Sequence, residues 1–215
     1  MTTTTALWSF ALVVGLLTLT PGLDTALILR TAALGHRARA WGVVLGIQTG
    51  TLLWGTLSSL GVTAILAASQ LAYDALRLAG AAYLLWMGGR MVLATLRRRG
   101  GGDAEGDRAD LPTGSADRFG AGWRQGTTTN LLNPKVGVFY VAVLPQFIPA
   151  HAPHLAFGVL LASEHVVLGL LWSAVLIAFA RAVRGWLRRP SARRVLDRIT
   201  GTVIVAFGVR LALGD

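Results

Sequence analysis

The chain of 215 residues contains no cysteine and a single lysine, Lys135. Without cysteine, neither a disulfide framework nor a CxxC redox pair is possible. The lysine lies in the sequence NPKVG, so the chain has no GxxxxGK[ST] phosphate-binding loop. GxSxG and HExxH sequences are also missing. These absences exclude thiol redox chemistry and an ATP-driven motor within this chain, and we expect neither an enzyme nor a bound cofactor.

Acidic residues are scarce, with 10 Asp and Glu against 20 Lys and Arg and a net charge of +10. Sixteen of the 20 basic residues fall within three segments, 30–39, 97–124 and 181–198. These segments are alternate connections between apolar runs, which is the positive-inside bias of a membrane protein. The charge distribution therefore indicates a lipid bilayer as the partner and argues against nucleic acid.

Apolar residues dominate the rest of the chain, which is 53% hydrophobic with a mean hydropathy of +0.58. Several runs approach or exceed the roughly 20 residues that a helix needs to cross a bilayer. We predict an all-α integral membrane protein with six transmembrane helices, over residues 7–29, 40–67, 76–96, 127–148, 155–180 and 199–213. The basic loops would face the cytoplasm, which puts both termini outside. No Lys or Arg precedes the first run, so a cleaved signal peptide is not expected.

The two halves of the chain show a weak internal repeat. The matching pairs are TPG (20–22) with NPK (133–135), AWGVVLGIQ (40–48) with AFGVLLASE (156–164), and LAGAAYLLWMGGR (78–90) with ITGTVIVAFGVR (199–210). Three crossings in each half would make the two repeats run in opposite senses, as in many secondary transporters. The competing explanation is chance similarity between apolar runs.

The repeat divides the chain into three parts. Residues 1–96 form the first three-helix repeat, and residues 123–215 form the second. The segment between them, 97–122, is rich in Gly, Asp and Arg, and it is predicted to be a flexible cytoplasmic linker.

Each repeat begins with a helix that proline interrupts, at Pro21-Gly22 in the first helix and at Asn133-Pro134 in the fourth. Breaks at corresponding positions of inverted halves point to the binding site of a transporter. Half-helix N-termini offer free N–H groups to a carboxylate, and unwound carbonyls can hold an ammonium group. A zwitterionic amino acid satisfies both kinds of group.

Two charged residues lie beside these breaks. Asp24 follows the first, either as a helix cap or as a carboxylate that binds an ammonium group or a proton. Lys135 follows the second, where a cation opposes the dipole of its own half-helix. It should need a carboxylate, and Asp24 is the candidate partner. The alternative is that Lys135 reaches towards the membrane surface.

Further polar residues lie in the second half. Glu164 and His165 fall inside the fifth segment, where burial would favour proton uptake by the carboxylate. Alternatively, Glu164 is solvated near the outer interface, and His165 makes a local hydrogen bond. Gln48 matches Glu164 in the first half, and additional polar contacts around the second break are expected from Asn130, Asn133 and Gln125.

Glycines at 42, 46 and 50 form a GxxxGxxxG ridge on the second segment, where small residues allow helices to pack closely in lipid. His151 and His154 have i, i+3 spacing, but two histidines in an outer loop do not amount to a predicted metal site.

The stretches that contain these residues resemble the LysE/RhtB family of bacterial amino-acid exporters. The resemblance is carried by TPGLDTALILRTAALGHRARAWGVVLGIQTG, AGAAYLLWMGGRMV, FGAGWRQGTTTNLLNPKVGVFYVAVLPQF and ITGTVIVAFGVRLAL, and it omits the central linker. Pro21, Gly22 and Asp24 stand for the first family motif, in which Leu23 replaces a second proline. Asn133, Pro134 and Lys135 match the second motif. The resemblance implies an inner-membrane protein that exports amino acids or their derivatives, driven by the proton gradient.

The combined prediction is a secondary active exporter that works by proton antiport and alternating access, with a homo-oligomer as one possible assembly. The predicted substrate-binding residues are Pro21, Gly22, Asp24, Asn130, Asn133, Pro134 and Lys135. Proton coupling is assigned to Asp24, Glu164 and His165. One rival is export of a metal cation or a signalling metabolite on the same scaffold. A second rival is an accessory membrane protein that transports nothing.

Overall fold

The computed structural model of the chain describes residues 2–68, 70–97, 117–149, 151–180, 182 and 190–213. Within these ranges the protein is all-helical, without a β-strand, as predicted. The helices are α1 (Thr3–Leu19), α2 (Leu23–Ala33), α3 (Arg37–Ala68), α4 (Gln70–Arg97), α5 (Phe119–Leu131), α6 (Pro134–Val138), α7 (His154–Ala178) and α8 (Pro190–Leu213). Between α6 and α7 the backbone forms a π-helical turn, Phe139–Val143, and a 3₁₀ turn, Leu144–Phe147.

The first predicted break separates α1 from α2, and the two helices are bent by 53°. The Thr20 N–H still donates to the Leu16 carbonyl at 3.0 Å, which completes the last turn of α1. The next residue, Pro21, has no N–H, so the helix cannot continue. Gly22 then forms the N-cap of α2 without a side-chain cap.

The second predicted break separates α5 from α6. The Asn133 side chain accepts a hydrogen bond from the Lys135 backbone N–H at 3.1 Å, so Asn133 caps a helix that begins with Pro134. Asparagine is a preferred N-cap, and proline is favoured at the first helical position. The NPK sequence therefore ends one helix and starts another.

A third irregularity follows within the same segment. Leu144 donates its N–H to the Phe139 carbonyl, five residues back, and this bond defines the π-helical turn. In that pattern the Tyr140 carbonyl would pair with residue 145, but Pro145 has no N–H. The Ser58 hydroxyl from α3 donates to the Tyr140 carbonyl instead, at 2.6 Å.

Helix α5 begins at Phe119, earlier than the predicted start at 127 and inside the predicted linker 97–122. The sequence FGAGWRQG contains no proline, so the helix extends beyond the apolar run that was used to predict its start. Residues 98–116 of the predicted linker lie outside the described residues.

Two of the described helices are long and apolar enough to cross a bilayer, over Arg37–Gly61 and His154–Ala178. The bent pair α1 and α2 makes a third if it crosses as one span, and the apolar segment Lys135–Phe147 is shorter. These helices fit a membrane protein. The count of six crossings and the inverted relation of the two halves stay predictions.

Helix α3 lies at the centre of the described fold, because it packs against α5 and α7 and also contacts α2 and α4. Helix α4 packs mainly against α8, and the Arg198 side chain on α8 donates to the Thr95 hydroxyl on α4 at 3.0 Å. Large apolar side chains on several helices point outward, including Trp8, Leu12, Leu57 and Leu171. An exterior of this kind suits lipid.

Glycines on both helices allow α3 and α5 to touch through their backbones. A Cβ atom on Gly42 or Gly46 would collide with backbone carbonyls of α5, at Phe119 and Trp123 respectively. A Cβ atom on Gly122 or Gly126 of α5 would likewise collide with a backbone carbonyl of α3, at Arg39 and Val43 respectively. Gly50 faces the Asn130 side chain. The predicted ridge therefore lies along the contact with α5.

This backbone contact predicts the effect of a small substitution. Gly46→Ala should destabilise the folded protein by about 1–3 kcal/mol, because the added methyl group forces the two helices apart. The measurement is the thermal unfolding midpoint in detergent. Gly15→Ala on α1 is the matched control, because a Cβ there meets no atom within 4 Å. Equal midpoints for the two variants would contradict the proposed role of this contact.

Candidate functional site

A cavity of about 70 Å³ lies between the two helix breaks. At the roughly 30 Å³ that a water molecule takes up in the liquid, that space holds about two water molecules. Residues of α1, α2, α3, α5, α6 and α7 line it. The charged or titratable side chains among them are Asp24, Lys135 and His165, and the amides are Gln48, Asn130 and Asn133.

Asp24 lies in the first turn of α2, where the positive end of the helix dipole favours a carboxylate. Two amides from the second break bind it. Asn130 Nδ2 donates to Asp24 Oδ2 at 2.9 Å, and Asn133 Nδ2 donates to Oδ1 at 3.4 Å. Asp24 therefore does not cap its own helix through a side-chain bond, but connects the first break to the second.

Asn130 reaches Asp24 because α3 leaves room for it. Its side chain is almost fully buried, and a Cβ atom on Gly50 would lie 2.5 Å from Asn130 Oδ1. Asn130 Oδ1 makes no hydrogen bond to any described residue. The amide is thus oriented by the donor bond to Asp24 and by close packing against the glycine.

Lys135 reaches across to the first half of the chain. Its Nζ atom donates to the Leu17 carbonyl of α1 at 3.3 Å. The ammonium group also lies near enough to Asp24 to attract its carboxylate electrostatically. The sequence predicted Asp24 as the carboxylate partner of this lysine, and that pairing stays a prediction. The hydrogen bond to a backbone carbonyl was not predicted.

His165 faces the cavity from α7. Its Nδ1 atom is 2.8 Å from the Tyr140 hydroxyl, and the two rings stack at 5.8 Å between centroids with an interplanar angle of 11°. The neighbouring Glu164 does not line the cavity, since successive residues of a helix point about 100° apart. Glu164 Oε2 is buried and makes no hydrogen bond to the described residues.

Several cavity residues are not among the predicted binding residues, although Gln48 matches Glu164 in the repeat. Gln48 of α3 lies against Gly169 of α7, where a Cβ atom would be 2.9 Å from the Gln48 amide. Trp172 and Ser173 also line the cavity. Residues 165, 169, 172, 173 and 176 share one face of α7, so helical spacing from His165 would have identified them. The Trp172 indole N–H is buried and has no acceptor among the described residues.

The remaining predicted residues lie elsewhere. Gln125 accepts a hydrogen bond from Arg39 Nη2 at 2.9 Å and does not line the cavity. Pro21 lies between α1 and α2, and Pro134 is the first residue of α6. His151 and His154 lie before and at the start of α7. The described residues contain no group of three or more His, Asp or Glu arranged to hold a metal ion.

Comparison with known proteins places this geometry in context. A family model described as LysE type translocator matches residues 15–215. A homoserine/homoserine lactone efflux protein of Salmonella typhimurium is 30% identical, covering 95% of this chain and 96% of the relative. A leucine efflux protein of Klebsiella pneumoniae is 29% identical, covering 90% and 88%. YrhP, an uncharacterised membrane protein of Bacillus subtilis, is 26% identical, covering 97% and 99%. No solved structure matches this chain significantly.

The link between Asp24 and Asn130 can be measured as a coupling free energy. Asn130→Ala should lower stability by about 1–3 kcal/mol, because it leaves a buried carboxylate oxygen without its donor. Asp24→Ala alone should also destabilise the protein. The double variant should cost less than the sum of the two, by about 0.5–3 kcal/mol. Denaturant unfolding in detergent measures all three variants, and strict additivity would contradict the link.

Proposed function

This chain belongs to the LysE type translocator family, and we propose that it is a secondary active exporter of amino acids or amino-acid derivatives. Two of its relatives carry the names of homoserine and leucine efflux proteins, both covered over most of their length. A translocator releases its substrate unchanged, so no catalytic residue is assigned.

The observation that carries the proposal is one cavity lined by a carboxylate from the first helix break and an ammonium group from the second. Asp24 and Lys135 both line it, and they come from different halves of the chain. An α-amino acid has one charge of each sign, so it can be bound at both ends. Buried charges in a membrane protein mark a functional site when they face a cavity.

Alternating access would expose this cavity to one side of the membrane at a time, with the substrate between the two broken helices. Asp24 is the proposed proton carrier. A protonated Asp24 no longer attracts the ammonium group of the substrate, so release is favoured on the acidic side. The other titratable groups that line the cavity are Lys135 and His165, and both would influence proton binding at Asp24.

Glu164 is the alternative proton carrier, with His165 as a possible relay to the cavity. One carboxylate oxygen of Glu164 is buried without a hydrogen-bond partner among the described residues. Its side chain nevertheless lies outside the cavity lining, whereas Asp24 is part of it. This difference favours Asp24.

The decisive experiment is pH-driven flux of a labelled amino-acid panel in proteoliposomes. The wild-type protein should show selective flux that collapses when the pH gradient is removed. Asp24→Asn should lower the flux at least about tenfold, which corresponds to a loss of about 1.4 kcal/mol in transition-state stabilisation. The variant should still insert and fold, because asparagine keeps the shape of the side chain.

Glu164→Gln is the matched carboxylate-to-amide control, and it should retain most of the gradient-driven flux. Unchanged flux in Asp24→Asn, together with loss in Glu164→Gln, would transfer proton coupling to Glu164. Absence of flux for every member of the panel, from folded and inserted wild-type protein, would contradict amino-acid export and favour another small solute.

We propose that the protein lies in the bacterial inner membrane, which its family suggests. We also propose that both termini are outside, which the basic residues in 30–39, 97–124 and 181–198 favour. The absence of cysteine from the sequence makes this easy to test. A cysteine introduced at Thr4 should react with a membrane-impermeant maleimide in intact spheroplasts. A cysteine at Ala104 should react only after the membrane is permeabilised, and the reverse pattern would overturn the orientation.

A further inference from the structure

The Leu17 carbonyl is the backbone acceptor that Pro21 leaves without a helical donor. In an uninterrupted helix it would accept from the N–H of residue 21, four residues later. Proline has no N–H, and the only hydrogen bond described for this carbonyl comes from Lys135 Nζ at 3.3 Å. A side chain from the second half of the chain therefore supplies the hydrogen-bond donor that the break in the first half removes.

The position of the Lys135 ammonium group is a cation site in its own right. It lies at the C-terminal end of α1, where the helix dipole is negative, and it is within electrostatic reach of Asp24. Helix α6, to which the lysine belongs, has its positive end there. The attraction that holds the ammonium group thus comes from the first half of the chain and not from its own helix.

This site matches the chemistry of the substrate. A lysine ammonium group and the α-ammonium group of an amino acid are the same compact –NH₃⁺ donor, whereas an arginine guanidinium is a planar fork. The chain has 20 basic residues and uses lysine at this position alone. An ordinary charge-neutralising role would not require the one side chain that imitates the substrate.

We propose that Lys135 occupies, in the empty protein, the position that the ammonium group of the amino acid takes on binding, and that the displaced lysine then pairs with the substrate carboxylate. The inference rests on the proposed function, since it concerns how an exporter of amino acids would hold them. In this inference, the Leu17 carbonyl and the Asp24 carboxylate bind the ammonium group of the substrate, and Lys135 binds its carboxylate.

Counting charges shows why a zwitterion suits this site. While Asp24 is ionised, the empty site holds one negative charge, on Asp24, and one positive charge, on Lys135. A zwitterion inserted between them adds one of each sign, so both the empty and the loaded site are neutral. Unpaired charges are costly in a low-dielectric interior. A ligand that lacks either charge would leave the loaded site with a net charge.

The test is equilibrium binding to detergent-solubilised protein, with the amino acid of highest flux, its primary amide and its deaminated acid. For leucine these probes are L-leucine, L-leucinamide and 4-methylpentanoate. The wild-type protein should bind the amino acid at least about tenfold more tightly than either analogue, a difference of about 1.4 kcal/mol. This comparison needs no variant, and equal binding of L-leucine and L-leucinamide would overturn the inference.

Two variants give the specific signature. Lys135→Gln should weaken binding of L-leucine at least about tenfold and bind L-leucinamide as tightly as the wild type or more tightly, because the competing ammonium group is gone. Arg124→Gln is the matched control, since Arg124 is an exposed basic residue of α5 that does not line the cavity. It should leave the binding of all three probes unchanged.

A purely structural role for Lys135 would weaken L-leucine and L-leucinamide equally, and that result would overturn the inference while leaving amino-acid export intact. Retained L-leucine affinity in Lys135→Gln would also overturn it, because the carboxylate would then bind elsewhere. If the wild-type protein binds and transports no member of the panel, the proposed function fails, and the inference falls with it.

Discussion

A backbone carbonyl that loses its helical donor away from water must find another, because an unpaired polar group in apolar surroundings costs several kcal/mol. This constraint applies twice here. Pro21 frees the Leu17 carbonyl, and Lys135 from the second half of the chain satisfies it. Pro145 cannot donate to the Tyr140 carbonyl, and Ser58 from the first half satisfies it. Each interruption is therefore stable only while the other half is in place, which ties the site to the packing of the whole protein.

The glycine contact between α3 and α5 provides that packing. Because Gly42 and Gly46 bring the two backbones together, the end of α5 lies directly beside α3. At that end, Gly50 leaves space for Asn130, and Asn130 in turn reaches Asp24. The position of a charged group in the cavity thus depends on residues that carry no charge and touch no ligand. Substitutions along this contact should alter the site indirectly.

The sequence predicts those features that depend on local chemistry. Both helix breaks follow from prolines, and Asp24, Asn130, Asn133 and Lys135 are candidate site residues because polar residues in apolar runs are rare.

Features that depend on which face each helix turns towards its neighbours were not predictable. Helix α7 is apolar around most of its surface, so periodicity alone could not show that His165 faces the cavity and Glu164 does not. The Leu17 carbonyl escaped notice because a backbone acceptor has no sequence signal apart from the proline four residues later. The start of α5 at Phe119 was missed because a helix can continue where apolar composition ends.

The two breaks are alike in sequence but not in chemistry, and the difference is informative. If TPGLD is matched with NPKVG, Gly22 corresponds to Lys135 and Asp24 corresponds to Gly137. Gly22 lies beside the lysine, since a Cβ atom there would be 4.0 Å from Lys135 Nζ, an ordinary van der Waals distance. Gly137 lies against the Trp54 ring, where a carboxylate would have no space. Two identical breaks would place like charges at the centre of the protein, where they would repel each other. Each break instead has one charged residue, and a glycine stands at the matching position of the other break. The cavity therefore has one charge of each sign, which is the distribution that an amino acid requires.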